Sequence, residues 1–470
     1  MRKDFKKRST ISSNLSIFAE TQRMNASKQR GVPLNNVHRK GFLNLLKELK
    51  QARKMKNEKQ DQQFNRRDFL RIAGIGASAG IIGTGMVAVQ PVYGGHQQPP
   101  RRPNIQGFDD TGSQPSQEKV WQPVSDRKVR VGLIGYGVCK FAADFGFQDH
   151  PNVEVVAVSD LIPERCAELA RVTRCNKTYP SLEELIKDDS IEAVFIATDA
   201  PSHAQHSIDA LNHGKHVACA VPAVFGSLED ADRLFETVKR TGLKYMMFET
   251  SMFRENLYAM HRLYHTGCLG KLVYAEGEYW HYSEKGIDSF RNWRHGMPPQ
   301  WYPTHSDAYY IAVTNGTFLE VSCLGMPSAM ERYQPNQNVY NNRFATEIAL
   351  HRTSEGGMAR MARSTDTMGH GYGSETGRVR GTKASYYDKY EGIEQPLPDL
   401  SRPALPPGIK AGGHGGSHGH LTEEFIRAIL ENRKPLIDVA MSLNMTVSGI
   451  VAHQSAMRDG ELLKIPQYKF

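Results

Sequence analysis

The chain has 470 residues, 39% of them hydrophobic and 23% charged, which is ordinary for a globular protein and too long for one core, since single cores stop growing near roughly 250 to 300 residues. The formal charge of +9 would suit a polyanion partner, but residues 1–94 hold nineteen Lys and Arg against six Asp and Glu. That stretch alone carries +13, which leaves −4 for the rest, so no nucleic-acid partner is expected.

The basic N-terminal extension runs over 1–94 and contains Asn65-Arg66-Arg67-Asp68-Phe69-Leu70-Arg71, followed by a charge-free, Gly- and Ala-rich stretch from Ile72 to Val89 and then Pro91. Paired arginines, an apolar run and a break have the form of a twin-arginine export signal. The expectation is recognition by the twin-arginine translocase and a periplasmic or otherwise extracytoplasmic location, with the signal either cleaved or kept as an anchor. Five glycines in eighteen residues disfavour a membrane-spanning helix. Because so much chain precedes the signal, either the leader is long or translation starts later, for instance at Met55. Residues 95–127 are rich in Gln, Pro and Arg without apolar periodicity and read as a linker.

A dinucleotide domain is expected over 128–249. Val129 to Ile134 is a short apolar run that ends at Gly135-Tyr136-Gly137, as a buried parallel strand entering a phosphate-binding turn should. Gly135 permits the tight turn and Gly137 lets backbone approach a pyrophosphate at the next helix; the third glycine of the fingerprint is replaced by Lys140. A second run, Val153 to Ser159, ends in Asp160, 25 residues after Gly135. A carboxylate there accepts hydrogen bonds from ribose hydroxyls and repels a 2′-phosphate, which favours NAD over NADP, although Arg165 lies close by.

Strand and helix patterns then alternate. Helices are expected at Pro163–Arg174, Ser181–Lys187, His203–His213 and Ser227–Thr241, and strands at Ala193–Ala197, Lys215–Cys219 and Lys244–Phe248. This is the pattern of a doubly wound parallel sheet, whose ligands sit at the carboxyl ends of the strands, so Thr198, His203 and Pro222 join the candidate cofactor contacts. The segment with Gly-Tyr-Gly, Val-Ser-Asp160, Ala-Thr198-Asp-Ala-Pro201-Ser-His203 and Gly214-Lys-His-Val resembles the Gfo/Idh/MocA oxidoreductases. The resemblance implies a two-domain NAD(P) enzyme acting on a sugar, cyclitol or related polyol, and a homo-oligomer built through an open sheet. One departure matters: the family's Glu-Lys-Pro is Ala220-Val221-Pro222 here, and valine can neither donate nor shuttle a proton.

Over 250–470 the alternation stops. A helix is expected at Phe253–Gly267, a long strand at Lys271–Tyr282, and further strands at Glu347–His351 and Gly357–Ser364, which together suggest an α+β domain with a largely antiparallel open sheet for substrate binding and oligomerisation. Three clusters carry candidate chemistry. In Trp301-Tyr302-Pro303-Thr304-His305, Tyr302 and His305 share a face if a helix starts there, so that a histidine could take a hydroxyl proton beside a tyrosine; a helix cap with packing aromatics is the other reading. Gly412 to His420 places His414, His418 and His420 among glycines, either as a metal tract, as a substrate loop with His414 or His418 donating to hydroxyls, or as a structural loop ahead of a final helix at Leu421–Glu431. Without a partner carboxylate or Cys motif, no metal is expected. Trp280-His281-Tyr282 and Asn292-Trp293-Arg294-His295 suit either sugar stacking, with Trp293 and Arg294 as contacts, or a subunit interface.

Tyr-Pro-Thr-His together with Val-Pro-Ala is similar to glycoside hydrolase family 109, an NAD-using branch in which oxidation is one step of a net hydrolysis. That resemblance implies catalytic roles for Tyr302 and His305. Three functions stay open: an exported oxidoreductase, a redox-neutral NAD-dependent glycosidase, and a non-catalytic sugar-binding relic. The six cysteines (Cys139, Cys166, Cys175, Cys219, Cys268, Cys323) contain no C-x-x-C pair and are expected mostly as small buried hydrophobes.

Overall fold

The structure is a computed structural model that describes residues 119–367 and 375–470. The basic extension, the twin-arginine segment and the linker up to residue 118 lie outside the described residues. Among the described residues no helix is long and apolar enough to cross a membrane, and all six cysteines are free thiols, five of them buried.

Six strands make the first sheet: β1 (Val129–Ile134), β2 (Val153–Ser159), β3 (Thr178–Tyr179), β4 (Ala193–Ile196), β5 (His216–Cys219) and β6 (Tyr245–Met247). Their order is β3-β2-β1-β4-β5-β6 and every pair is parallel. β4 and β6 are buried at every residue, which is why they read as unbroken apolar runs rather than as alternating ones. The crossovers are α1 (Phe141–Asp144), α2 (Pro163–Thr173), α3 (Leu182–Leu185), α4 (His203–Asn212) and α5 (Leu228–Thr241). The side chain of Ser227 caps α5 and Gly242 closes it in the left-handed conformation, so both ends are written in the sequence. The first crossover differs from a full Rossmann helix: α1 spans four residues, with Lys140 in the left-handed conformation at its start.

The second sheet has eight strands: β7 (Leu272–Trp280), β8 (Phe318–Pro327), β9 (Phe344–Thr353), β10 (Met358–Ser364), β11 (Glu375–Gly381), β12 (Ala384–Tyr386), β13 (Tyr390–Gly392) and β14 (Leu463–Lys464). The order is β13-β12-β11-β7-β10-β9-β8-β14, antiparallel except for β7 with β10. One face is covered by α7 (Thr304–Thr314), which lies on β7 and β11, and by α9 (Val439–Ala456), which lies on β8; α6 (Glu255–His265) packs on α7, and α8 (His418–Leu430) turns Phe425 onto Phe147 and Phe248 of the first domain. The helix that ends the fold is therefore α9, beyond the expected Leu421–Glu431; fifteen of its eighteen residues are buried, so it lacks the polar face that marks an amphipathic helix.

Helix α7 lies directly on the backbone of the sheet. Gly277 of β7 and Gly377 of β11 are register partners, and a Cβ on them would meet the Ser306 carbonyl oxygen at 2.0 Å and the Tyr309 ring at 2.3 Å. Two hydrogens in place of two side chains thus set the depth at which the first turn of α7, with His305, enters the interior.

Candidate active site

A cavity of about 660 Å³ opens at the carboxyl ends of the first sheet, between β1 and β4 where the strand order reverses, and is closed on its other side by residues of the second domain. Gly135, Tyr136, Gly137, Asp160, Arg165, Thr198 and His203 all lie on its wall. Pro222 does not. It is reached through His203, whose Nδ1 lies 2.8 Å from the Pro222 carbonyl oxygen and whose Nε2 lies 3.2 Å from that of Thr198.

The phosphate-binding turn fits a dinucleotide. Gly135 has φ +93°, and a Cβ there would fall 2.4 Å from the Ala197 carbonyl oxygen, so only glycine holds this turn against the end of β4. At Gly137 nothing lies within 4 Å of where a Cβ would stand, which leaves open space in front of the backbone. The Asp160 carboxylate accepts from the N–H of Tyr136 at 2.6 Å and of Ile162 at 2.8 Å. It therefore fixes the turn as well as presenting negative charge where a ribose would sit.

On the far wall Tyr302, Trp293 and Arg294 come together. The rings of Trp293 and Tyr302 stack with centroids 6.5 Å apart, and the Arg294 guanidinium lies 4.1 Å from the Trp293 ring and 5.6 Å from that of Tyr302. Burial pushes the Tyr302 hydroxyl up to about 12 although Arg294 opposes the shift, so it stays a proton-bearing donor at neutral pH. Tyr302 precedes α7 rather than riding on it, because the helix begins at Thr304; the two rings of Tyr302 and His305 nevertheless approach to 5.6 Å. His305 is 3% exposed and stands behind Tyr302, not on the cavity wall itself.

His305 Nδ1 meets Glu249 Oε1 at 2.7 Å, and the Glu249 side chain is wholly buried. Burial raises the Glu249 carboxyl, but the imidazole beside it outweighs this and holds it down at about 2; burial lowers His305, and the Glu249 charge outweighs that and lifts it. Glu249 follows β6, a strand-end position in the parallel sheet, yet sequence reasoning treated it only as a domain boundary. The signal that could have found it was the rule that such sheets place function at their carboxyl ends. A second buried carboxylate, Glu375 at the start of β11, is held by the Arg254 guanidinium at 2.7 Å and by the Ser251 hydroxyl. Glu249, His305 and Glu375 bring ligand-type atoms within 4.8 Å of one another, but with His305 and Arg254 already matching the two carboxylates the cluster is an ion-pair network.

The glycine-rich segment lies elsewhere. His414 Nδ1 and His418 Nε2 are 2.8 Å apart, and both rings pack edgewise on Phe141, at 5.6 and 5.9 Å. Phe141 lines the cavity but neither histidine does. His420 stacks on Phe253 at 5.3 Å. Of the other aromatic cluster, Trp280 donates to Glu278 at 2.8 Å and His281 packs against Tyr279 at 5.6 Å.

Residues 129–249 match the model of the Gfo/Idh/MocA oxidoreductase family, NAD-binding Rossmann fold. A glycosyl hydrolase family 109 protein of Porphyromonas gingivalis is 30% identical over 190 residues, which cover 38% of this chain and 40% of that protein; the chain thus spans about two fifths of the length of this relative. A glycosyl hydrolase family 109 protein of Saccharopolyspora erythraea is 25% identical over 339 residues, 65% of this chain and 70% of the relative. Among solved structures, levoglucosan dehydrogenase in complex with NADH and levoglucosan superposes with a TM-score of 0.58 at 18% identity, over 73% of this chain and all of that one. Scyllo-inositol dehydrogenase from Lactobacillus casei does so with a TM-score of 0.57 at 16% identity, over 73% of this chain and 99% of that one. At such identities the likeness establishes the two-sheet fold. The strand order, the turn at Gly135 and Asp160 agree with the family match, so residues 129–249 have the NAD-binding Rossmann fold that the model of the Gfo/Idh/MocA oxidoreductase family describes.

Proposed function

We propose that this chain oxidises a secondary hydroxyl of a sugar, cyclitol or related polyol, with His305 as the base that takes the hydroxyl proton. The observation that carries this reading is the buried Glu249–His305 pair standing behind Tyr302 at the cavity wall. The turn at Gly135–Gly137 and Asp160 would hold NAD, which when bound would supply the hydride acceptor. Glu249 fixes Nδ1 as the protonated nitrogen of neutral His305, which leaves Nε2 for the substrate and stabilises the imidazolium once the proton has moved. Tyr302, protonated at neutral pH, donates to the substrate oxygen, and Trp293 gives the sugar a flat apolar face. Val221 is buried at the end of β5 and takes no part, so acid–base work passes wholly to the Tyr302–His305 segment.

A second reading is favoured by the family 109 relatives and by Val221. The same oxidation acidifies the neighbouring C–H, and the net result is glycoside cleavage with the cofactor returned to its starting state. The sequence of the leader supports export with the nucleotide retained.

Both readings are tested on protein purified without added nucleotide. Native mass spectrometry should show bound NAD. A panel of sugars should give either reduced nicotinamide absorbance, or aryl-glycoside cleavage with deuterium exchange next to the oxidised carbon. Tyr302→Phe with His305→Ala should abolish whichever activity is seen; an unchanged rate would refute the assignment.

A further inference from the structure

We propose that Glu347, which is set away from the cavity wall, is a positioning residue for Tyr302: it holds the turn that presents the tyrosine, as Glu249 holds His305. The inference rests on the reading of Tyr302 as the group that donates to the substrate oxygen, and adds what keeps that ring in place.

Tyr302 follows a single helical turn, Pro299–Trp301, closed by the Tyr302 N–H on the Pro299 carbonyl at 3.1 Å. One turn has too few bonds to stand by itself. Pro298, Pro299 and Pro303 stiffen the chain around it, so the piece moves as a unit and its place depends on what grips it from outside. Glu347 of β9 grips its start. It is fully buried; one carboxylate oxygen accepts from the Gln300 N–H at 2.9 Å and the other meets His453 Nδ1 of α9 at 2.6 Å. The Gln300 side chain returns the bond, its amide donating to the Glu347 carbonyl at 3.2 Å. On the α9 side the fit is so close that a Cβ on Gly449 would run into the Gln300 carbonyl oxygen and the Pro303 ring. At the far end His305 is held by Glu249. Gln300 to His305 thus hangs between two buried Glu–His pairs, one beside the first sheet and one in the second, with Tyr302 in between.

Trp301, the residue before Tyr302, shows what the anchor controls. Its ring stands edge-on to His453 at 5.7 Å and to Phe225 at 5.2 Å, and a Cβ on Gly226 would fall 2.6 Å from it. Phe225 and Gly226 end the segment that begins at Val221 on the cavity wall. Trp301 therefore wedges the turn against the nucleotide domain while Tyr302 lines the cavity, and a shift of the turn moves both rings together. A carboxylate buried in mid-sheet destabilises, and an apolar side chain of its size would pack there with a smaller penalty. Such a side chain would, however, leave the Gln300 N–H and His453 without their partner. Because the Glu347–His453 pair is matched within itself, what the site needs from Glu347 is reach rather than charge. A misplacement of about 1 Å at a reacting group slows chemistry by about a hundredfold.

The test reads Tyr302 directly, by fluorine NMR of the full chain with a fluorotyrosine placed at that position, beside the kinetics of the unlabelled variants. Glu347→Asp keeps the charge and loses the reach; Glu347→Gln loses the charge and keeps the reach, its amide oxygen still accepting from Gln300. Glu347→Asp should displace or split the resonance and lower kcat about ten- to a hundredfold, with the Kd for NAD unchanged. Glu347→Gln should leave the resonance in place and turn over at the wild-type rate, and this variant keeps the test standing if the aspartate does not fold. In a Tyr302→Phe background Glu347→Asp should cost almost nothing more, because its effect runs through the hydroxyl. The opposite ranking of the two variants would overturn the proposal, as would losses that add in full. The resonance needs no turnover. A signal displaced by Glu347→Asp in a chain that acts on no sugar would sink the proposed reaction alone, and an unmoved signal in an active enzyme would sink this inference alone.

Discussion

Glu249→Gln removes one charge from a fully buried pair while keeping its shape. In the native chain the Glu249 carboxyl is held at about 2 against an ordinary 4.5, and at about 1.4 kcal/mol per unit this amounts to about 3 kcal/mol of stabilisation by His305 and the surrounding donors. A depressed carboxyl contributes above its unfolded value and loses that contribution as pH falls from about 4.5 through about 2. His305 is raised above its ordinary 6.5, so its contribution is present below 6.5 and is lost as pH rises through the raised value. The stability gap between wild type and Glu249→Gln should then be widest between about pH 4.5 and 6.5 and narrow on both sides. In turnover the signs differ, because only neutral His305 is a base. The wild-type rate should fall as pH drops through the raised value, and the variant's acid limb should move to lower pH because burial then acts on the ring with the Glu249 charge gone and Glu375 left to oppose it. At its plateau the variant should lose roughly 10²- to 10⁴-fold, the worth of a positioned general base. Denaturation across a pH series and pH–rate profiles measure the two halves separately. A stability gap that does not vary with pH, together with an unmoved acid limb, would refute the pairing as described.

Asp160→Ala should narrow the preference for NADH over NADPH by about tenfold or more, since the carboxylate that repels a 2′-phosphate is gone, and fluorescence titration with both nucleotides reads this directly; an unchanged ratio would put the discrimination elsewhere. Gly135→Ala should cost several kcal/mol, roughly the penalty of a strained left-handed backbone plus a contact of 2.4 Å with a carbonyl oxygen, and should release the nucleotide; retention of NAD with unchanged melting would contradict the close approach. On the outer face of the second sheet Leu324 and Ile348 are register partners, 65% and 38% exposed, with Leu350 and Met358 also open to solvent. Such a face is expected to be covered by a second copy of the chain, so light scattering should show an oligomer that Leu324→Asp with Ile348→Asp reduces to a monomer. Equal masses for the two would remove the face from consideration.

Much of the first sheet was legible because strands covered on both sides must be apolar throughout and are bounded by glycines and turn residues. Tyr302 and His305 were legible as a pair for a reason that proved partly different: the chain enters α7 one residue after Pro303, so the tyrosine reaches its partner from the turn before the helix and not from a shared helical face. Glu249 and Glu375 were not legible. Their roles arise from strand register and from the depth of α7, quantities set by Gly277 and Gly377 meeting across two strands 100 residues apart in sequence. The histidines at 414 and 418 stood out by local composition, and the fold turns both rings onto Phe141, which itself lines the cavity.

The last strand of the parallel sheet has a consequence for how the molecule is made. The N–H of Met247 in β6 donates to the carbonyl of Ile437, and the Ser448 hydroxyl of α9 donates to buried Asp307 in α7. A ribosome delivers the nucleotide fold long before it delivers residues 437–456, and domains generally fold in the order in which they emerge. During that interval β6 has an uncovered edge, open to other nascent chains, and the turn of α7 that bears His305 lacks its support. The half that holds nucleotide matures first, and competence for chemistry arrives only with the final helix.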